Sequence, residues 1–175
     1  MDSGTFGTGA DRDWTVKVEA DGLNPDTPYY YRFTSGDAVS MVGQTKTLPV
    51  GSDPVRLAVF SCANFPAAET FAAYGRAAAI NAANPYDAWL HLGDYIYEYG
   101  PGGFEEAEDA AGSRQFQPNR EIVSLDDYRQ RYAQYHTDTN LQALRAAAPL
   151  IAIWDDHETA NDSWAGGAQN HQSAS

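Results

Sequence analysis

Three short apolar runs, each ending abruptly in side chains able to bind a metal, constrain this chain more than any other feature. Leu57-Ala58-Val59-Phe60-Ser61 leads into Cys62-Ala63-Asn64, and Ala88-Trp89-Leu90-His91-Leu92-Gly93 leads into Asp94-Tyr95-Ile96-Tyr97. Leu150-Ile151-Ala152-Ile153-Trp154 leads into Asp155-Asp156-His157-Glu158. Runs of this length, separated by helix-like sequence, read as buried parallel strands. In an open α/β sheet, ligands bind beyond the carboxyl ends of the strands, which is where all three polar clusters fall.

The intervening sequence supports that order. Residues 67–83 are Ala-rich with Phe71, Tyr74 and Ile80 on a helical period, and Asn84-Pro85 ends the helix. Residues 99–120 lack periodicity and read as a long loop. Ser124 is an N-cap, Asp126 and Asp127 suit the first turn, and Tyr128, Tyr132 and Tyr135 share one face. Asn140 is expected to cap a short helix through Ala148, with Pro149 stopping it; residues 161–175 read as polar loop. Strand, helix, strand, helices, strand predicts an α/β class and a parallel β-α-β-α-β unit.

The first 48 residues follow a different period. Residues 14–20 alternate, with Trp14, Val16, Val18 and Ala20 on one side, which predicts a half-buried antiparallel strand. Residues 29–33 and 41–48 read as two more strands, separated by a Ser35-Gly36-Asp37 turn. The order Leu23-x-Pro25-x-Thr27-x-Tyr29-x-Tyr31 resembles the corner of fibronectin type III domains, where a tyrosine hydroxyl bonds to backbone. Three strands are fewer than such a sandwich needs, so residues 1–48 are expected to be the end of one. Residues 49–54 read as a linker, and residues 55–175 as the start of a second domain.

Charge narrows the partners. Asp and Glu number 24 against 11 Lys and Arg, a formal charge of −13, so no basic footprint for nucleic acid or an anionic membrane is present. A single cysteine excludes an intrachain disulfide and zinc-finger spacings. No apolar run approaches transmembrane length, and no signal peptide is visible at the start.

At the strand ends, Gly93 lets the backbone turn tightly, and the Asp94 carboxylate is able to bridge two cations. Tyr97, three residues on, offers a hard phenolate oxygen or simply packs the mouth of the core. Cys62 is either an inert small apolar residue or, facing the crevice, a thiolate ligand or nucleophile. Of Asp155-Asp156-His157-Glu158, at least one must enter the site or be paired. His157 is suited to supply a proton, orient the attacking group or stabilise an oxyanion. His91, inside an apolar run, reads as a core histidine or a group behind the site.

Phe60 to Asn64, His91 to Tyr99 and Ile153 to Glu158, together with Leu125-Asp126-Asp127-Tyr128-Arg129-x-Arg131-Tyr132 and Asn161-Asp162-Ser163-Trp164, closely resemble the PhoD-like alkaline phosphatase family. That family falls within the calcineurin-like metallophosphoesterases and carries a fibronectin-like amino-terminal domain, so the resemblance spans essentially the whole chain. It implies Fe³⁺ held by Cys62, Asp94 and Tyr97, Ca²⁺ sharing Asp94 and reaching Asp156, and His157 beside the phosphate. It implies hydrolysis of phosphate mono- or diesters by metal-activated water, in a secreted, periplasmic or cell-surface setting. It also implies further ligands in a carboxyl-terminal half, so the 175 residues are expected to be a truncated piece with weak metal affinity and little turnover. The competing expectations are a phosphodiesterase or phospholipase-type activity on the same site, and a non-catalytic cell-surface binding module.

Overall fold

The computed structural model describes residues 3–51, 54–103 and 114–170. Ten residues of the expected long loop, 104–113, and the tail end, 171–175, therefore lie outside the described residues.

In the amino-terminal part, β1 (Pro28–Tyr31) pairs antiparallel with β4 (Gly43–Lys46), and β2 (Thr34–Ser35) with β3 (Ala38–Val39). The Gly36 turn, at φ 56°, closes the β2–β3 hairpin. The expected corner bond is present: the Tyr29 hydroxyl accepts the Asn24 N–H at 2.8 Å. Thr47 completes the corner, donating to Asn24 O at 2.6 Å and accepting from Thr27 N–H at 3.0 Å.

The strand expected over residues 14–20 does not form. Residues 10–12 make a 3-10 turn, Trp14 takes a left-handed φ of 56° and is 69% exposed, and residues 15–21 join no ladder. Alternation specifies a half-buried strand only where a sheet edge and a covering layer exist. A two-stranded ribbon offers neither to the Val16 and Val18 side chains, which stay exposed.

β5 (Leu57–Phe60), β6 (Ala88–His91) and β7 (Leu150–Ala152) form a parallel sheet in that order. The pleat sorts the side chains by face. Ala58, Phe60, Trp89, His91 and Leu150 turn toward α1 (Ala72–Ala83) and α3 (Thr139–Ala147), which pack on one side and on each other. Phe60, Tyr74 and Trp89 meet edge to face or tilted, with ring centroids 4.9–6.0 Å apart. Such pairs add about 0.5–1.5 kcal/mol each beyond their area. Only β6 is buried as expected. Leu57, Val59, Ile151 and Ile153, on or continuing the opposite face of the edge strands, are 43–62% exposed, because no element among the described residues covers that side.

Local chemistry sets the helix ends. Ser124 caps α2 (Leu125–Tyr135) in a reciprocal capping box with Asp127, each bond 3.2 Å. The α3 cap is Asp138, not Asn140: its carboxylate accepts the Asn140 and Leu141 N–H groups at 2.9 and 3.0 Å. Asn140 sits one position inside the helix and donates to Thr70 Oγ1. Pro149 follows the C-cap Ala148, as expected. The two parts of the chain are tied by Lys46, which reaches Asp26 and Asp87, and by Arg129, which donates to Ala10 and Asp11 carbonyls.

Candidate metal centre at the strand ends

The ends of β5 and β6 are stitched to each other by backbone, and Ile153 N–H, past the end of β7, donates to His91 O at 3.0 Å. Cys62 N–H donates to Gly93 O at 3.1 Å and Ala63 N–H to Asp94 O at 2.8 Å. Cys62 and Asp94 both adopt left-handed backbone, φ 59° and 53°, so each side chain leaves its strand direction at a sharp turn. Gly93, at φ 103°, is required for a second reason. A Cβ there would stand 2.3 Å from Asp155 Cβ and 2.4 Å from Asp155 N, so only glycine admits the β7 end this close.

All five sequence-predicted site residues come together. Cys62 Sγ lies 3.3 Å from Asp94 Oδ2, and the Tyr97 phenol and the Cys62 thiol are close enough to influence each other's ionisation. Asp94, Asp156 and His157 each offer a ligand atom within 4.8 Å of the others. The His157 ring packs on Tyr97, centroids 4.3 Å apart, and meets Tyr99 edge-on at 5.4 Å. Cys62 is exposed rather than an inert core residue, whereas Asp94, Tyr97 and His157 are buried. Asp155 instead caps the 3-10 turn Asp156–Glu158. His91 is a core residue, sharing a 2.9 Å hydrogen bond between Nε2 and the Tyr74 hydroxyl, and burial pushes its pKa down to about 4.

Electrostatics at this site disfavour isolated anions. Burial, reinforced by the Asp94 charge, pushes the Tyr97 phenol far above its ordinary value. The Ser61 hydroxyl pulls the Cys62 thiol down, but partial desolvation of the sulfur and Asp94 together outweigh it and raise the thiol. Burial works against a charged His157, yet the hydrogen bond to Glu98 and the carboxylates around the ring raise its pKa. Asp94 Oδ1 is buried with no hydrogen-bond partner. An orphaned carboxylate oxygen beside a thiol, a phenol, an imidazole and a second carboxylate fits a cation, whose charge would offset the penalties on the thiolate, phenolate and carboxylate and favour a neutral imidazole.

Three supporting residues escaped the sequence reading. Glu98, fully buried, receives His157 Nδ1 at 2.8 Å, Asn161 N–H at 2.6 Å and the Asn170 amide at 2.9 Å. Glu158 accepts four backbone N–H groups from the ends of β6 and β7. Arg131, fully buried on α2, donates to carbonyls on both sides of the 104–113 segment. Asp155-x-x-Glu158 has capping-box spacing, a local signal for Glu158. Glu98 and Arg131 carry none, since their partners are distant in sequence.

A model of the family described as PhoD-like phosphatase matches residues 57–175, and one of the PhoD-like phosphatase N-terminal domain matches residues 1–49. Alkaline phosphatase D of Bacillus subtilis (strain 168) is 45% identical over 148 residues, 85% of this chain and 24% of that protein. A solved structure of PhoD superposes with a TM-score of 0.69 at 44% identity, over 81% of this chain and 26% of that one. The chain thus spans about a quarter of the length of both relatives.

Proposed function

This chain belongs to the PhoD-like phosphatase family, and from that premise we propose that it carries part of the metal centre of a phosphoric ester hydrolase acting on phosphate mono- or diesters. Cys62, Asp94 and Tyr97 would hold Fe³⁺, and Asp94 and Asp156 would hold Ca²⁺. The observation that carries this reading is the buried, unpartnered Asp94 Oδ1, in a carboxylate flanked by Cys62 on one side and by Asp156 and His157 on the other. When bound, such metals supply Lewis-acid charge against the phosphoryl oxygens and activate water for in-line attack.

The chain's own residues do the rest. Glu98 occupies Nδ1 of His157, so Nε2 is the nitrogen left to hold or deliver a proton at the leaving-group oxygen, or to face an equatorial oxygen. Tyr97 and Tyr99 fix the ring plane. We read residues 1–48 as the end of a fibronectin-like sandwich, 49–54 as a linker and 55–175 as the start of the phosphoesterase domain; the two family matches and the Tyr29 corner support this division. A secreted, periplasmic or cell-surface location belongs to the same proposal, on the resemblance alone.

The test is spectroscopic first and kinetic second. Loading the chain with Fe³⁺ should produce a visible ferric-tyrosinate absorption band that disappears in Tyr97→Phe. Phosphate release from a phosphomonoester and from a diester, with iron and calcium present, then measures how much turnover these residues support. No band after loading, or a band that survives Tyr97→Phe, would overturn the ligand set.

A further inference from the structure

We infer that Glu158 is a positioning residue for the metal centre: its carboxylate is an internal strut that fixes the separation of the Asp94 and Asp156 loops and so sets metal affinity without binding metal itself. This rests on the reading of Asp94 and Asp156 as ligands. Glu158 Oε2 accepts the N–H of Asp94 at 2.9 Å and of Asp155 at 2.7 Å. Glu158 Oε1 accepts the N–H of Tyr95 at 2.6 Å and of Ile96 at 3.4 Å. An ionised carboxylate has about four lone-pair sites, so these four donors fill it and leave none for a cation.

The donors belong to both ligand-bearing loops. Asp94, Tyr95 and Ile96 present three consecutive N–H groups, the backbone concavity that elsewhere takes up anions, and here the anion is a side chain of the chain itself. The fourth donor, Asp155, begins the 3-10 turn that carries Asp156 and His157. Moving the Glu158 carboxylate therefore moves Asp94 against Asp156 and His157 together. The bare Gly93 backbone against Asp155 lets the strut be this short. Groups that orient metal ligands in this way typically change metal affinity by about 10–100-fold when mutated.

Glu158→Gln keeps the size but turns an NH₂ toward two of the four N–H donors. Titration of the chain with Ca²⁺ alone by calorimetry, and with Fe³⁺ alone by the visible band, should show affinity at least about 10-fold weaker in Glu158→Gln, well below its melting temperature and with unchanged far-UV circular dichroism. Glu158→Asp, one methylene short but still charged, should fall between the two, and stands in if Glu158→Gln does not fold. In the unmutated chain, amide exchange at Asp94, Tyr95 and Asp155 should be slowed, and slowed further by Ca²⁺. Affinity equal to the parent in both variants, or unprotected amides at these three residues, would overturn the strut while Asp94→Asn still abolishes binding. If Asp94→Asn also binds as the parent does, the ligand assignment and the strut both fall.

Discussion

Replacing Arg131 by methionine, which keeps much of the volume and removes the guanidinium, should destabilise the chain by about 2–6 kcal/mol. The figure follows from where the five N–H groups go. Nη1 donates to Tyr97 O and to Tyr99 O at 2.9 Å; Nη2 to Pro118 O at 3.1 Å and Arg120 O at 3.2 Å; Nε to Gln117 O at 3.1 Å. The Phe116 ring covers the guanidinium at 4.2 Å. No carboxylate among the described residues forms a salt bridge with it, and burial lowers its pKa to about 10, so it remains a cation solvated by carbonyl dipoles. The bonds to Tyr97 and Pro118 are buried, whereas the other three are only partly so and their carbonyls regain water. Two buried carbonyls without donors, at about 1–3 kcal/mol each, give the stated range. Against a total stability on the order of 5–15 kcal/mol this is a large fraction. Followed by circular dichroism in urea, with a slope near ~2 kcal/mol/M, the midpoint should fall by about 1–3 M. Arg131→Lys should lose nearly as much, because an ammonium carries three donors and cannot span carbonyls from residues 97 to 120. A midpoint within about 0.3 M of the parent, with unchanged slope, would refute the buried-carbonyl reasoning.

Two further expectations concern positions whose roles are equally local. Gly93→Ala combines left-handed strain of about 1–3 kcal/mol with a collision against Asp155 of similar cost; calorimetric melting should show a clear loss, and an unchanged melting temperature would mean the loops part freely. Asp138 accepts from Leu141, Phe71, Arg114 and Thr70, which together hold its pKa below the ordinary value despite burial. Its contribution is therefore complete above the unfolded carboxylate value and fades as pH falls through the lower folded one. Urea midpoints measured from pH 6 down should drop less steeply below about pH 4 in Asp138→Asn than in the parent, and parallel curves would dismiss Asp138 as a source of acid sensitivity.

How much of this was legible beforehand depends on the range of the interaction. Apolar runs fixed the three parallel strands, and Asn84-Pro85, Ser124 and Pro149 marked helix ends, because each signal acts within a turn. The α3 cap was misread by two residues, since both Asp138 and Asn140 are good caps and only the Thr70 partner of Asn140 separates them. Apolar composition also overstated burial. Leu57 and Ile151 are apolar because a β-sheet has two faces, yet a sequence does not say which face its own helices cover. The alternation over residues 14–20 failed because the described residues offer it neither a sheet edge nor a covering layer. The candidate ligands were visible because they end strands; Glu98 and Arg131 were not, because their partners lie 59 residues away at His157 and up to 34 away at Tyr97.

The distribution of satisfied charge at the strand ends explains why the proposed ligands and their supports look alike in sequence and differ in space. Glu158 is neutralised by four N–H groups, and Glu98 by an imidazole, an N–H and an amide. Asp155 spends one oxygen on the Asp156 N–H, and Asp156 one on the Asp162 N–H. Asp94 is different: one oxygen meets only the Cys62 sulfur, and the other is buried without any partner. Buried charge without a partner is costly enough that folded chains rarely retain it. The unpartnered carboxylate oxygen therefore lies at Asp94, within reach of Asp156 and His157, while Glu158 is filled by the backbone N–H groups that hold Asp94 in place. A cation placed at that point would offset the buried, unpartnered Asp94 oxygen, a deficit that the described residues around it leave open.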